Sequence, residues 1–100
     1  MNKFNVKLLP KANRDLDEIY VYIRDEYKEI ETVKQIIELL EEAILGLDKM
    51  PYRGAIRKTG VFANKGYRQI FVKNFTIVYR IDEENKIVII VTVRFTPSSF

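Results

Sequence analysis

GYRQIFVKNFTIVYRIDEENKIVIIVTVRF, residues 66–95, is the stretch whose reading decides the fold. It is dominated by Val, Ile, Phe, Tyr and Thr, which fit a pleated and half-buried surface. Two short polar breaks divide it. Lys73-Asn74 reads as a tight turn between strands over Tyr67–Lys73 and Phe75–Ile81. Asp82-Glu83-Glu84-Asn85 reads as a hairpin loop before a third strand, Lys86–Phe95. Both faces of the last two strands are apolar, which predicts a central place in the sheet. Proline cannot donate to a strand ladder, so the chain is expected to leave the sheet at Pro97.

Upstream, Phe4, Val6 and Leu8 alternate with Asn5 and Lys7, the period of a half-buried strand that ends at Pro10. Ala12, Leu16, Ile19, Tyr20, Ile23 and Tyr27 then recur every three or four residues, as on one face of a helix. A second helix is predicted to start near Thr32, where Thr32 and Gln35 have the spacing of a capping box. Its apolar face is Val33, Ile36, Ile37, Leu40, Ile44 and Leu47, and Met50-Pro51 is expected to stop it. A short link around Lys28–Glu31 makes the two helices an antiparallel hairpin. Tyr52–Asn64 leaves room for a short strand and a loop. The fold class is therefore α+β: an N-terminal strand and a helical hairpin packed on one face of a mostly antiparallel sheet, in the order β-α-α-β-β-β. Residues 1–100 form a single domain on this reading.

Composition narrows the chemistry. There is no Cys and no His, which removes thiolate ligands, a cysteine nucleophile and the usual general base at neutral pH. No metal-ligand spacing and no phosphate-cradling glycine loop is visible, so neither a metal nor a cofactor is expected. The longest apolar run near the end, Ile87–Val91, is far short of the roughly 20 residues that span a membrane. A cytoplasmic protein without membrane contact is expected.

Charge is unevenly spread. Residues 1–50 carry eight basic and eleven acidic side chains, and residues 51–100 carry nine basic and three acidic, so a net +3 conceals halves of −3 and +6. From Met50 to Ile81 there are seven basic residues and no acid. Such a field bears on partners rather than on fold. Arg57, Lys58, Lys65, Tyr67, Arg68, Lys73, Arg80 and Arg94 are the candidate partner- or nucleic-acid-binding residues. Arginine suits phosphate because its planar fork donates two hydrogen bonds at once, and tyrosine can stack a base. Arg68, Arg80 and Arg94 are the catalytic candidates if there is catalysis. Whether Arg80 and Arg94 share a face depends on register: an even loop between their strands puts them on opposite faces, an odd one on the same face. The first helix's acids, Asp15 among them, read as an exposed, solvated row.

Three segments in this order, ANRDLDEIYVYI, LDKMPYRG and GYRQIFVKNFTIVYRIDEENKIVIIVTV, give the chain a likeness to a known family. It resembles the RelE/ParE superfamily of bacterial type II toxin–antitoxin toxins over nearly its whole length. The first matches the A-x-x-D-L-x-x-I-x-x-Y-I helix, the second the L-x-x-x-P-x-x-G junction, and the third the family's hairpin and β-rich end. The resemblance implies a growth-arresting toxin neutralised by a cognate antitoxin, with operator DNA met only through the antitoxin. It implies one of two targets: DNA gyrase for ParE-like members or ribosome-bound mRNA, cut by an endonuclease, for RelE-like ones.

The ribonuclease pattern is incomplete in this sequence. Where family members carry R-L-V-Y, this chain has Thr76-Ile77-Val78-Tyr79. Their Y-K-x-K becomes Tyr67-Arg68-Gln69-Ile70, and the terminal aromatic is Phe100, which has no hydroxyl. The ParE-like reading is preferred, with the mRNA endonuclease as the alternative. The antitoxin is expected to be acidic where it crosses the Arg/Lys surface and apolar where it docks.

Overall fold

The computed structural model describes residues 3–96; the expectations placed on Pro97 and Phe100 lie outside them. The elements are β1 (Asn5–Leu8), α1 (Pro10–Glu26), α2 (Ile30–Leu45), a 3₁₀ turn (Gly46–Asp48), β2 (Ala55–Ile56), β3 (Arg68–Val72), β4 (Phe75–Asp82) and β5 (Ile87–Phe95). The five strands form one sheet in the order β1-β5-β4-β3-β2. All pairs are antiparallel except β1 with β5, which is parallel. The α+β class, the helical hairpin and the mostly antiparallel sheet agree with the reading of the sequence.

One face of the sheet carries the core. Ala12, Leu16, Ile19 and Ile23 of α1 and Ile36, Leu40 and Ile44 of α2 meet Ile70, Phe75, Ile77, Tyr79, Val88, Ile90 and Val93. These are the positions that the three- and four-residue spacing selected on the helices, and alternate positions on β4. Pro10 occupies the first turn of α1, where its missing N–H is not needed.

Two helix boundaries differ from expectation. The Thr32/Gln35 spacing is not used as a cap. The helix begins two residues earlier at Ile30, its N-cap Glu29 makes no side-chain cap bond, and the Val33 N–H already donates to the Glu29 carbonyl. At the other end α2 stops at Leu45, ahead of Met50-Pro51. The chain tightens there into the 3₁₀ turn that brings Leu47 into the core, as helix C-termini often do.

The junction after that turn is held by one tyrosine. The fully buried Tyr79 donates its hydroxyl to the Pro51 carbonyl at 2.7 Å and accepts the Gly54 N–H at 3.0 Å. A Cβ on Gly54 would lie 2.6 Å from both the Gln69 carbonyl oxygen and the Tyr79 hydroxyl oxygen. The P-x-x-G spacing thus has a physical meaning: Pro51 presents an acceptor, and only glycine lets the backbone close on Tyr79 and β3. Burial is the main reason that the Tyr79 pKa is pushed upward, against smaller opposing effects of the Gly54 N–H and of Arg68 and Arg53.

The β4–β5 pair contains an irregularity that the sequence hides. Val78 pairs with Thr92 but Tyr79 pairs with Ile90, leaving Val91 as an extra residue on β5. This bulge lies just beyond the point where β1 ends, since β1 pairs only with Ile87–Ile90.

Two substitutions test the junction. Tyr79→Phe should cost about 1–3 kcal/mol, the penalty for leaving buried backbone groups without a partner. Gly54→Ala should cost at least as much by forcing backbone apart. Urea unfolding of both variants reads the effect, and a loss below about 0.5 kcal/mol in Tyr79→Phe would show that the latch is dispensable.

Candidate interaction sites

Register places the basic residues. Arg68 pairs with Tyr79 and so lies on the helix-facing side of the sheet, while Gln69 pairs with Val78 on the other side. Arg94 pairs with Thr76, which shares a face with Arg80 along β4. Four residues separate Asp82 from Ile87, and an even loop was expected to set Arg80 and Arg94 on opposite faces. The Val91 bulge adds one residue to β5 and reverses that outcome. The two arginines share the outer face, with their positions four residues, or about 13 Å, apart along β4.

Arg68 stands apart from them and is held by the fold. Its guanidinium donates to the Gly54 carbonyl at 2.7 Å and to that of Tyr52 at 3.5 Å, and lies 5.1 Å from the centre of the Tyr52 ring. Tyr52 in turn sets its edge against Phe4. Arg57 is also built in. It is only 6% exposed, donates from Nε to the Val61 carbonyl, and donates to the Gln69 side-chain oxygen at 2.7 Å. It ties the loop between β2 and β3 to the outer face of the sheet. That loop takes positive φ at Gly60, Phe62, Asn64 and Gly66, and Tyr67 packs its ring against Phe62 with centroids 4.9 Å apart.

Of the remaining candidates, Lys58, Lys65 and Arg80 are exposed, Arg94 is half-buried, and Lys73 is exposed in the β3–β4 turn with φ of 54°. The candidates therefore do not converge on one point. Register puts Arg80 and Arg94 on the outer face, Arg94 at the edge where it also meets the depression beside Asp15 and Glu18; Arg68 belongs to the helix side, Lys58 and Lys65 to the β2–β3 loop, and Lys73 to the β3–β4 turn.

The helical layer has the opposite sign. Residues 10–45 carry five basic and ten acidic side chains, a net of −5, against ten and four, a net of +6, over residues 46–96. Asp15 does not belong to the solvated row where the sequence reading put it. Its carboxylate accepts hydrogen bonds from the Thr92 hydroxyl, from the Val93 N–H at 3.3 Å and from Lys11 Nζ at 3.0 Å. Burial alone would raise its pKa. The hydrogen bonds from Thr92, Lys11 and Val93, together with the charge of Lys11, outweigh burial and hold it below the ordinary range.

A groove that composition could not reveal runs along α1. Three adjoining depressions share walls: one by Lys11, Asp15, Glu18 and Arg94, a second floored by Ile19, Tyr22, Phe75 and Phe95, and a third reaching Tyr27, Leu39 and Lys73. From Lys11 to Tyr27 it follows about 24 Å of helix. The middle section is almost wholly apolar. Tyr22 is 45% exposed there, and its ring meets that of Phe95 at 5.8 Å. No single stretch of sequence shows the groove, because its walls come from both ends of the chain. The signal was Tyr22, an aromatic just off the buried face of an amphipathic helix.

Among the described residues there is no cluster of acidic, histidine or cysteine side chains suited to a metal ion, and no helix is long and apolar enough to cross a membrane. The sequence matches, over residues 6–96, the family described as ParE toxin of type II toxin-antitoxin system, parDE. No curated protein matches it. A chain of the chromosomal ParDE toxin–antitoxin system from P. aeruginosa has the same fold. Its TM-score is 0.73 at 22% identity, over 95% of this chain and 98% of that one. A chain of the RelBE2 toxin–antitoxin complex from Mycobacterium tuberculosis superposes with a TM-score of 0.62, also at 22% identity, over 93% and 98% of the two chains.

The Asp15 cluster predicts an acid limb of stability with a definite sign. A carboxyl whose folded pKa lies below its unfolded value of about 4 stabilises the fold at neutral pH. That contribution is lost as the pH falls through the unfolded and then the folded value. Melting temperatures measured from about pH 6 to pH 2 should fall more steeply in the wild type than in Asp15→Asn. Parallel curves would remove Asp15 from the account. In the same assay Arg68→Ala should cost about 1–2 kcal/mol, whereas Arg80→Ala should stay within about 0.5 kcal/mol.

Proposed function

The chain belongs to the ParE toxin family of type II toxin–antitoxin systems, and from that premise we propose that it is a toxin acting by binding, with DNA gyrase as its target, held inactive by a cognate antitoxin. The observation that carries the binding mode is the separation of the arginines. An RNA-cleaving site needs donors gathered around one phosphate, where charge develops in the transition state. Here one terminal nitrogen of Arg68 is held by the Gly54 and Tyr52 carbonyls on the helix-facing side of the sheet, while register puts Arg80 and Arg94 on the other face. A protein that works by surface complementarity needs no such convergence.

The antitoxin segment occupies the α1 groove on this reading. The apolar floor at Tyr22, Phe75 and Phe95 offers anchor positions for alternate apolar side chains. The mouth, with Lys11, Asp15, Glu18 and Arg94, asks for a polar stretch. The exposed basic side chains of Arg80 and of the loop residues Lys58 and Lys65 stay available for an acidic surface of the target. Arg57, Tyr67 and Arg68 then act indirectly, by holding the loop and the junction in shape. Operator DNA is approached through the antitoxin. Like charge turns the acidic helical layer away from nucleic acid.

The test adds the purified, antitoxin-free chain to gyrase supercoiling and DNA-cleavage reactions, with translating ribosomes and mRNA in parallel. Loss of supercoiling with trapped cleaved DNA is expected, and mRNA should stay intact. Cleaved mRNA with unaffected gyrase would overturn the reading in favour of the ribosome-dependent endonuclease. Tyr22→Ala should leave gyrase inhibition in place while weakening rescue by the antitoxin by about tenfold or more, the loss of one buried aromatic anchor.

A further inference from the structure

Beyond the end of β1 the edge of β5 is covered by α1 instead of by a strand, and Val91, Thr92 and Val93 are buried beneath it. β1 covers Ile87–Ile90, and the last backbone bond on that side runs from the Leu9 N–H to the Ile90 carbonyl. Pro10 then turns the chain into α1. Val91–Phe95, five residues of high strand propensity without an acid among them, continue beyond β1 with one side facing no strand among the described residues. A strand edge without a partner strand is a template for another strand, and natural proteins blunt such edges with bulges, inward-pointing charges or a covering helix. All three devices sit here. Val91 is bulged, and Asp15 reaches from α1 to take the Val93 N–H while held in place by Thr92 and Lys11.

We propose that the Asp15 carboxylate stands in for a strand carbonyl at this edge, and that it keeps Val91–Phe95 from pairing with the same segment of a second copy of the chain. The occupant it excludes follows from the sequence of the edge. In an antiparallel pairing about a twofold axis through Val93, Val93 meets itself, Val91 meets Phe95, and Thr92 meets Arg94. Apolar residues fall opposite apolar ones, and no charge falls opposite its like, so nothing in the strand itself opposes self-pairing. The obstacle is supplied by the helix. An Asp15 carboxylate occupying the central N–H removes one ladder bond from each copy and sets a carboxylate, held by Lys11, in the path of the incoming strand. The inference is independent of the target and of the toxin reading.

The experiment measures the mass of the full chain by sedimentation over a concentration series, for the wild type, Asp15→Ala and Asp15→Asn. The wild type and Asp15→Asn, whose side-chain oxygen can still accept the Val93 N–H, should remain monomeric. Asp15→Ala should self-associate with a constant raised about tenfold or more, the scale of one charge-assisted hydrogen bond removed. Hydrogen exchange should then show Val91–Phe95 slowed in the associated species. A folded Asp15→Ala that stays monomeric at the highest concentration, with a fast-exchanging Val93 amide, overturns the proposal. If Asp15→Ala does not fold, the pair Lys11→Ala with Thr92→Val loosens the carboxylate while keeping it. Self-association in that folded variant supports the proposal, and its absence overturns it.

Discussion

A carboxylate from the first helix completes the hydrogen bonding of the last strand, and much of the molecule is arranged around that contact. Asp15 accepts from Val93 and Thr92 at the point where β1 has ended and β5 has just gained its extra residue. The contact sets the height of α1 over the sheet, which in turn sets the depth of the groove between Tyr22 and Phe95. A helix packed by apolar side chains alone could slide by a fraction of a turn at modest cost. A charged group bound to one particular N–H cannot, because an unpaired buried carboxylate is far more costly than a repacked leucine.

The opposite end of the domain uses the same device with a neutral group. Tyr79 carries its hydroxyl through the core to the segment between α2 and β2, where Pro51 and Gly54 close on it. Arg68 then locks the outside of that segment through the Gly54 carbonyl and the Tyr52 ring. The sheet is thereby fixed to both of its flanking connections, and the outer face is left to carry charge. Polarity follows from this division: a negative helical layer, a positive sheet and loops, and an apolar groove between them.

Much of this was legible in the sequence. Residues recurring at three and four on the helices gave Ile36, Leu40 and Ile23 as core, and alternation gave Val6 and Leu8 their strand, with Phe4 buried just ahead of it. The strands and both turns of residues 66–95 read correctly because short-range propensity and long-range packing agree there. The failures share a cause. Thr32 has the chemistry of a cap, but Ile30 and Glu31 already lie in the helix ahead of it. The faces of Arg80 and Arg94 follow from a count of residues, and a bulge at Val91 changes that count without leaving a mark in composition. Asp15 looks like any other acid on α1, and Arg57 like any other cation, until the strands that they contact are in place. Local sequence reports period well and partners poorly, since the partner of Asp15 is 78 positions away.

Function by binding makes a spatial demand: the regulatory surface and the target surface must be separable. The apolar part of the groove, at Tyr22, Phe75 and Phe95, and the outer face around Arg80 meet it, with Arg94 at the sheet edge between them. Hydrogen exchange of the chain alone and with saturating antitoxin is the most direct test. Slower exchange along α1 and at Val93–Thr96, with the loop over residues 57–66 unchanged, is the result that this account predicts. Slowing confined to that loop and to the outer face around Arg80, with α1 unaffected, would contradict it.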